Sequence, residues 1–331
     1  FPVSAGEAAY VKAAFQSRLL ARLTGLLTIA IGVVCSSAVA VGSTGYIQQF
    51  IDLPQGVIAV AVIVGLGAIA SWGILESVLL ASVFTLIEVG GLLAIIVAAV
   101  RADLPILSSL VQPLPLEAAT LSGIAFASLL AFFAFVGFED LANVVEEAKV
   151  PHRDIPRAMV LTLLISTVLY VAVVAIAVNS VPAHVLASSP APLSLVFKQV
   201  AGVSPATISV IAVVATLNTI LAQMTMAARM ARQGDLPAMA GHVHPRTATP
   251  VFATVLIVVL VSVLALTISF ERLAEATSLA TLVVFALVNL ALLRLRHRRV
   301  RSNGPHVSVP VWVPAVGLAT CLAMIAAALA K

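Results

Sequence analysis

Two stretches of this chain combine residues able to do chemistry with surroundings that make them costly. The first, FFAFVGFEDLANVVEEAKVPHRDIPR from Phe132 to Arg157, sets Gly137 among Phe135, Val136 and Phe138 and follows it with Glu139 and Asp140. The second, VFTLIEVGGLL, places Glu88 in the middle of an apolar run. A carboxylate costs about 3 kcal/mol near the centre of a bilayer on insertion scales, and less toward the interface. Glycine lets a backbone leave helical geometry where a cavity supplies other partners. Phe135, Val136, Gly137, Phe138 and Glu139 therefore read as a broken helix lining a binding cavity. The competing reading is a glycine that only permits close packing, with Glu139 and Asp140 at an interfacial helix end. Glu88 reads either as a proton or cation relay or as a carboxyl held by a hydrogen bond from a neighbouring helix. A third stretch, ATLNTILAQ, sets Thr216, Asn218, Thr219 and Gln223 in an otherwise apolar helix. These side chains serve coupling chemistry or act as interhelical hydrogen bonds, worth about 0.6 kcal/mol each on average.

The elements that must position these residues follow from composition. With 61% hydrophobic and 10% charged residues and a mean hydropathy of +1.15, the chain has too few charges to cover a water-soluble surface. It reads as an all-α polytopic membrane protein. The formal charge of +4 does not point to nucleic acid, because the basic residues sit in short loops between apolar runs. Cys35 and Cys321 lie in separate apolar runs and read as small core residues. His242 and His244 lack a completing ligand set, so no metal site is expected and no cofactor is called for.

About 20 apolar residues span a bilayer core. Nine stretches approach that: 24–45, 56–74, 77–100, 119–143, 157–178, 205–228, 250–269, 274–293 and 309–330. Short alternating segments of a closed barrel are absent. Of the eighteen Lys and Arg, fourteen fall on one side of this map; Arg101, Lys198, Arg272 and Lys331 fall on the other. The positive-inside rule then puts the N-terminus of the chain in the cytoplasm and the C-terminus outside. Local punctuation fits. Ser4 and Glu7 form a Ser-x-x-Glu capping box opening a surface helix, with Val11 and Phe15 facing lipid. Pro151 is expected to stop the fourth span, Asp154 to cap the next, and Thr249 to cap the seventh ahead of Pro250. Residues 179–204 are the longest external segment and have room for a short interfacial helix. Glu146 and Glu147, close to Lys149 and Arg153, read as a surface charge cluster.

FFAFVGFED with NVVEEAKVP and RDIPRA resembles the sixth transmembrane helix and following loop of the amino acid, polyamine and organocation permeases. SAGEAAYVKAAF, ESVLLASVFTLIEVGGLL, ARQGDLPAMAGHVHPRTATPVFAT and LATLVVFALVNLALLRLRHRR extend the resemblance through nearly the whole chain. It implies a partial leucine-transporter-like bundle of inverted repeats within a single membrane domain over 1–331. Residues 1–100 would supply helices three to five, 119–293 the second repeat, and 309–330 a peripheral helix. The first two helices and a last one would lie outside the sequence, which then reads as a fragment or processed product. The resemblance assigns substrate contact to the stretch around Gly137. It assigns coupling to Glu88, Thr216, Asn218 and Thr219, although some relatives carry a Lys where Glu88 stands. It further implies a multi-pass plasma-membrane permease for an amino acid or related small amine, driven by a proton or alternatively by sodium. Transport or exchange of a polyamine or cationic amino acid, and a non-transporting truncated fragment, are the alternatives.

Other classes find less support in the residues. A membrane-embedded enzyme needs clustered acidic, His-pair or Ser/His/Asp chemistry at membrane depth, and none is evident. A channel would show a filter-like re-entrant loop.

Overall fold

The computed structural model describes residues 6–72, 78–104, 118–233, 249–298 and 309–329. These residues form twelve α-helices and one 3-10 helix, with no strand among them. Among the described residues seven helices are long and apolar enough to cross a membrane, and two shorter apolar helices, 122–133 and 251–267, lie within the other two of the nine expected stretches. Their outer faces stay apolar: along one side of the helix Pro151–Ser180, Leu161, Leu164, Ile165, Val168 and Val171 are all exposed. In lipid such a face needs no covering, and helices satisfy their own backbone there.

The chain opens with the short α1 (Gly6–Phe15) and the long α2 (Arg18–Ile47), capped by the Ser17 hydroxyl accepting from the Leu20 N–H. Helices α3 (Gln55–Trp72) and α4 (Val78–Arg101) follow. The fourth predicted span is divided: α5 (Ala118–Phe133) gives way to a turn and then a 3-10 helix, Phe138–Glu147. After α6 (Pro151–Ser180) come two short helices, α7 (Ala183–Ser188) and α8 (Pro192–Ala201), where one interfacial helix was expected. Helices α9 (Ala206–Gln233), α10 (Val251–Thr267), α11 (Phe270–His297) and α12 (Trp312–Leu329) complete the bundle.

One core joins α2, α3, α9 and α10 through Val33, Ile63, Met224, Ile257 and Val261. The Ser37 hydroxyl lies 2.7 Å from the Val33 carbonyl and 3.3 Å from that of Val261, tying α2 to α10. A second core joins α4, α6, α8 and α9 around Ile95, Ile176 and Val196, with a buried Ser194–Ser209 hydroxyl pair at 2.8 Å. A third joins α5, α11 and α12 around Leu129, Leu282 and Cys321. Both cysteines are buried and free.

Small residues set the approach distances. A Cβ on Gly67 would fall 2.2 Å from Val258 Cγ2, and one on Gly45 would fall 1.9 Å from the Pro190 carbonyl oxygen. Not every glycine packs in this way: Gly65 and Gly90 have nothing within 4 Å.

Four local expectations are corrected. Val11 is fully buried and Phe15 lies under the Arg294 guanidinium, 4.8 Å from ring centre to Cζ, because α1 packs against α2 and α11 and is not left on a lipid surface. Pro151 starts α6 at its first turn, where the missing N–H costs nothing. Asp154 does not cap α6, whose N-cap is Val150; it sits inside the first turn and pairs at 2.9 Å with Arg153, which was expected to join the cluster of Glu146, Glu147 and Lys149. Thr249 does not cap α10, which has Pro250 at its N-cap; its hydroxyl donates to the Ser71 carbonyl at 2.7 Å, joining the end of α3 to the start of α10. Ser4, His242 and His244, and the side chains of Glu146 and Glu147, lie outside the described residues.

Candidate functional site

The break in the α5 region is built one hydrogen bond at a time. Beyond Phe133 the bonding tightens, with the Phe135 N–H donating to Phe132 and the Val136 N–H to Phe133. Gly137 then takes φ 115° and ψ −17°, a conformation that L side chains rarely adopt. Its N–H, freed from the helical ladder, donates to the Glu139 Oε2 at 2.8 Å, and its carbonyl accepts from the Asp140 N–H at 3.2 Å. Glu139 therefore folds back on the interruption, and the Asp140 N–H closes onto the Gly137 carbonyl.

Asp140 accepts a hydrogen bond from the Gln223 Nε2 at 2.7 Å, joining the break to α9. Gln223 is buried, and α9 comes close because Gly32 of α2 faces it: a Cβ there would lie 3.2 Å from that of Ala227. Glu139, Asp140 and Gln223 line a cavity of about 400 Å³ counting the space open to solvent, of which only about 20 Å³ is wide enough for the centre of a water. Its other polar walls are Thr28 from α2, Thr281 from α11 and Glu7 from α1. Phe138 meets Phe285 of the same wall edge-on at 5.7 Å, and Phe132 meets Phe285 at 6.0 Å.

Phe135 turns elsewhere and packs against Tyr170 of α6 at 5.2 Å, so the two aromatics flanking the glycine serve different neighbours. Glu88 is not in the cavity wall. It accepts from the Asn218 Nδ2 at 3.2 Å, joining α4 to α9. Asn218 and Gln223 are five residues apart on α9, about 7.5 Å along the axis and well over a quarter turn around it, so two polar stations sit on different faces of one helix. The hydroxyls of Thr216 and Thr219 donate to the carbonyls of Val213 and Ala215 in their own helix.

Sequence reasoning missed Glu7 and read it as a capping residue. It is 5% exposed, its Oε2 has no hydrogen-bond partner, and burial pushes its carboxyl above the ordinary range, with the charge of Asp140 adding to the effect against a partial offset from a backbone N–H. The available signal was its setting in GEAA, where small neighbours let α1 approach; a Cβ on Gly25 would lie 3.8 Å from that of Ala8.

The comparisons with known proteins agree with this architecture. The chain is 31% identical to the branched-chain amino acid permease BcaP of Bacillus subtilis over 61% of its own length and 45% of that protein's. It is 34% identical to the vacuolar cationic amino acid transporter 4 of Arabidopsis thaliana, over 68% of this chain and 37% of the relative. With the methylthioribose transporter of Bacillus subtilis it shares 28% identity over 92% of this chain and 70% of the relative. The chain thus spans less than half the length of the first two. The amino acid permease family profile matches residues 1–330, and with its bundle of membrane-length helices this multi-pass membrane protein belongs to that family.

Proposed function

We propose that the protein is a secondary active transporter that carries an amino acid inward across the plasma membrane by alternating access, coupled to protons. The observation that carries this reading is the left-handed interruption at Gly137, which directs Glu139 and Asp140 into a cavity shared with α1, α2, α9 and α11. Irregular backbone at membrane depth is sustainable where it lines such a cavity, and interrupted helices of this kind hold substrate in transporters. The wall offers carboxylates from two elements and no Lys or Arg among the described residues, which suits an ammonium group. The narrowness of the space means that substrate entry requires the walls to part, as rocking of one helical bundle against another would achieve.

The coupling stations are Glu88 with Asn218, and the cavity carboxylates themselves. Residues 1–100 and 119–293 serve as parts of two inverted repeats, with 309–330 peripheral, and the N-terminal side of the chain faces the cytoplasm. The names of the relatives support an amino acid substrate, while the carboxylate-rich cavity favours, as a second reading, a cationic amino acid or polyamine.

The test is uptake into proteoliposomes of a labelled panel of neutral amino acids, cationic amino acids and a polyamine, with an inward proton gradient, a sodium gradient or neither. Concentrative uptake of an amino acid driven by the proton gradient is expected. Uptake driven only by sodium would replace the coupling ion, and no uptake of any of the panel would overturn the reading.

A further inference from the structure

Among the described residues the Glu7 Oε2 is a carboxylate oxygen that is buried, without a hydrogen-bond partner, and in the wall of the cavity that also holds Glu139 and Asp140. The other two carboxylates have donors. Gly137 donates to Glu139 and Gln223 to Asp140. An ionised carboxylate with this oxygen unpartnered would be under-compensated at this depth, whereas a protonated one is neutral and offers a donor on the side of its acidic neighbours. We infer that Glu7 carries the coupling proton, holding it on Oε2 while the cavity is closed and releasing it to cytoplasmic water when α1 parts from the wall. The inference rests on the transport reading for its purpose, though not for its chemistry.

The rivals for this proton are the two acids of the same wall, Glu139 and Asp140, each of which already has a donor. On α1 the nearest titratable group is Tyr10, itself half-buried, and Lys12 is exposed five residues further on. From α2, Thr28 faces the cavity, while Arg18 and Arg22 are exposed near the helix start. From α11, Thr281 faces it, and Arg294 is engaged with Phe15 at the far end of α1. From the 3-10 helix come the two acids. The raised affinity of Glu7 for a proton stems first from burial, so hydration on opening reverses it and the proton departs to water. A substrate ammonium and one proton together then neutralise two of the three carboxylates, which links loading of the two.

Infrared difference spectroscopy of the purified full-length protein reads this directly. At neutral pH carbonyl stretches of protonated carboxyls are expected, and Glu7→Gln is expected to remove a component that Glu139→Gln and Glu88→Gln both leave in place. A spectrum unchanged by Glu7→Gln overturns the proposal. In proteoliposomes, the ratio of uptake with an inward proton gradient to uptake without should drop about tenfold in Glu7→Gln; an unchanged ratio also overturns it. Should Glu7→Gln not give monodisperse protein, Glu7→Asp must shift the pH midpoint of that component, and an unmoved midpoint overturns the assignment. If the wild type takes up nothing yet that component is lost with Glu7, the transport reading fails and the proton site stands.

Discussion

Gly137 and Glu7 govern the cavity through different physics. At Gly137 a Cβ would meet nothing nearer than the Gln223 Nε2 at 3.8 Å, so the obstacle to a side chain is the φ of 115° alone. Gly137→Ala should cost about 1–3 kcal/mol of backbone strain, lowering the melting temperature in detergent and abolishing uptake, with Gly137→Asn milder on both readouts. Glu7 makes a prediction about pH. Its carboxyl is raised in the folded protein, so the folded state binds a proton that the unfolded chain has already lost. The stability Glu7 contributes is fully present at acid pH, below the unfolded value, and is lost as pH rises from the ordinary carboxylate range through the folded value. Glu7→Gln should therefore flatten the fall in melting temperature across that window; a wild-type slope retained in the variant would contradict this. The sequence showed the first of these residues and hid the second. Gly137 stood out because a glycine, flanking aromatics and two acids coincide. Glu7 did not, since a single acid in the first turn of a ten-residue helix reads equally as a capping residue.

Among the elements, α2 and its contacts decide how tightly the bundle closes. Gly45→Ala drives a Cβ against the Pro190 backbone, which cannot yield as a side-chain tip can, whereas Gly65→Ala enters open space. Gly45→Ala should destabilise by about 1–3 kcal/mol, and Gly65→Ala should leave the melting temperature unchanged or higher; thermal unfolding of both in detergent checks the contrast. The spans themselves were readable from apolar length, because each helix must cover the same bilayer thickness whatever it packs against. Their ends were not. Pro151 opens a helix where a stop was expected, and Thr249 reaches across to Ser71 where a cap was expected. In both cases a residue suited to more than one local role was assigned by a neighbour distant in sequence.

For the molecule as a whole, orientation follows from charge. Lys12 and Lys198 are both exposed, on helices the positive-inside reading places on opposite sides, and the two native cysteines are buried and so give little background. A cysteine at position 198 should react with a membrane-impermeant maleimide on intact cells, and one at position 12 only after permeabilisation. The reverse pattern would invert the map and place the Glu7 cavity toward the outside.

The Thr249–Ser71 hydrogen bond fastens the tail of one membrane crossing to the head of another that is far away in the chain. A cycle that rocks part of this bundle against the rest must therefore carry α3 and α10 on the same side of the divide, as a single slab, and the seam along which the protein parts has to run elsewhere.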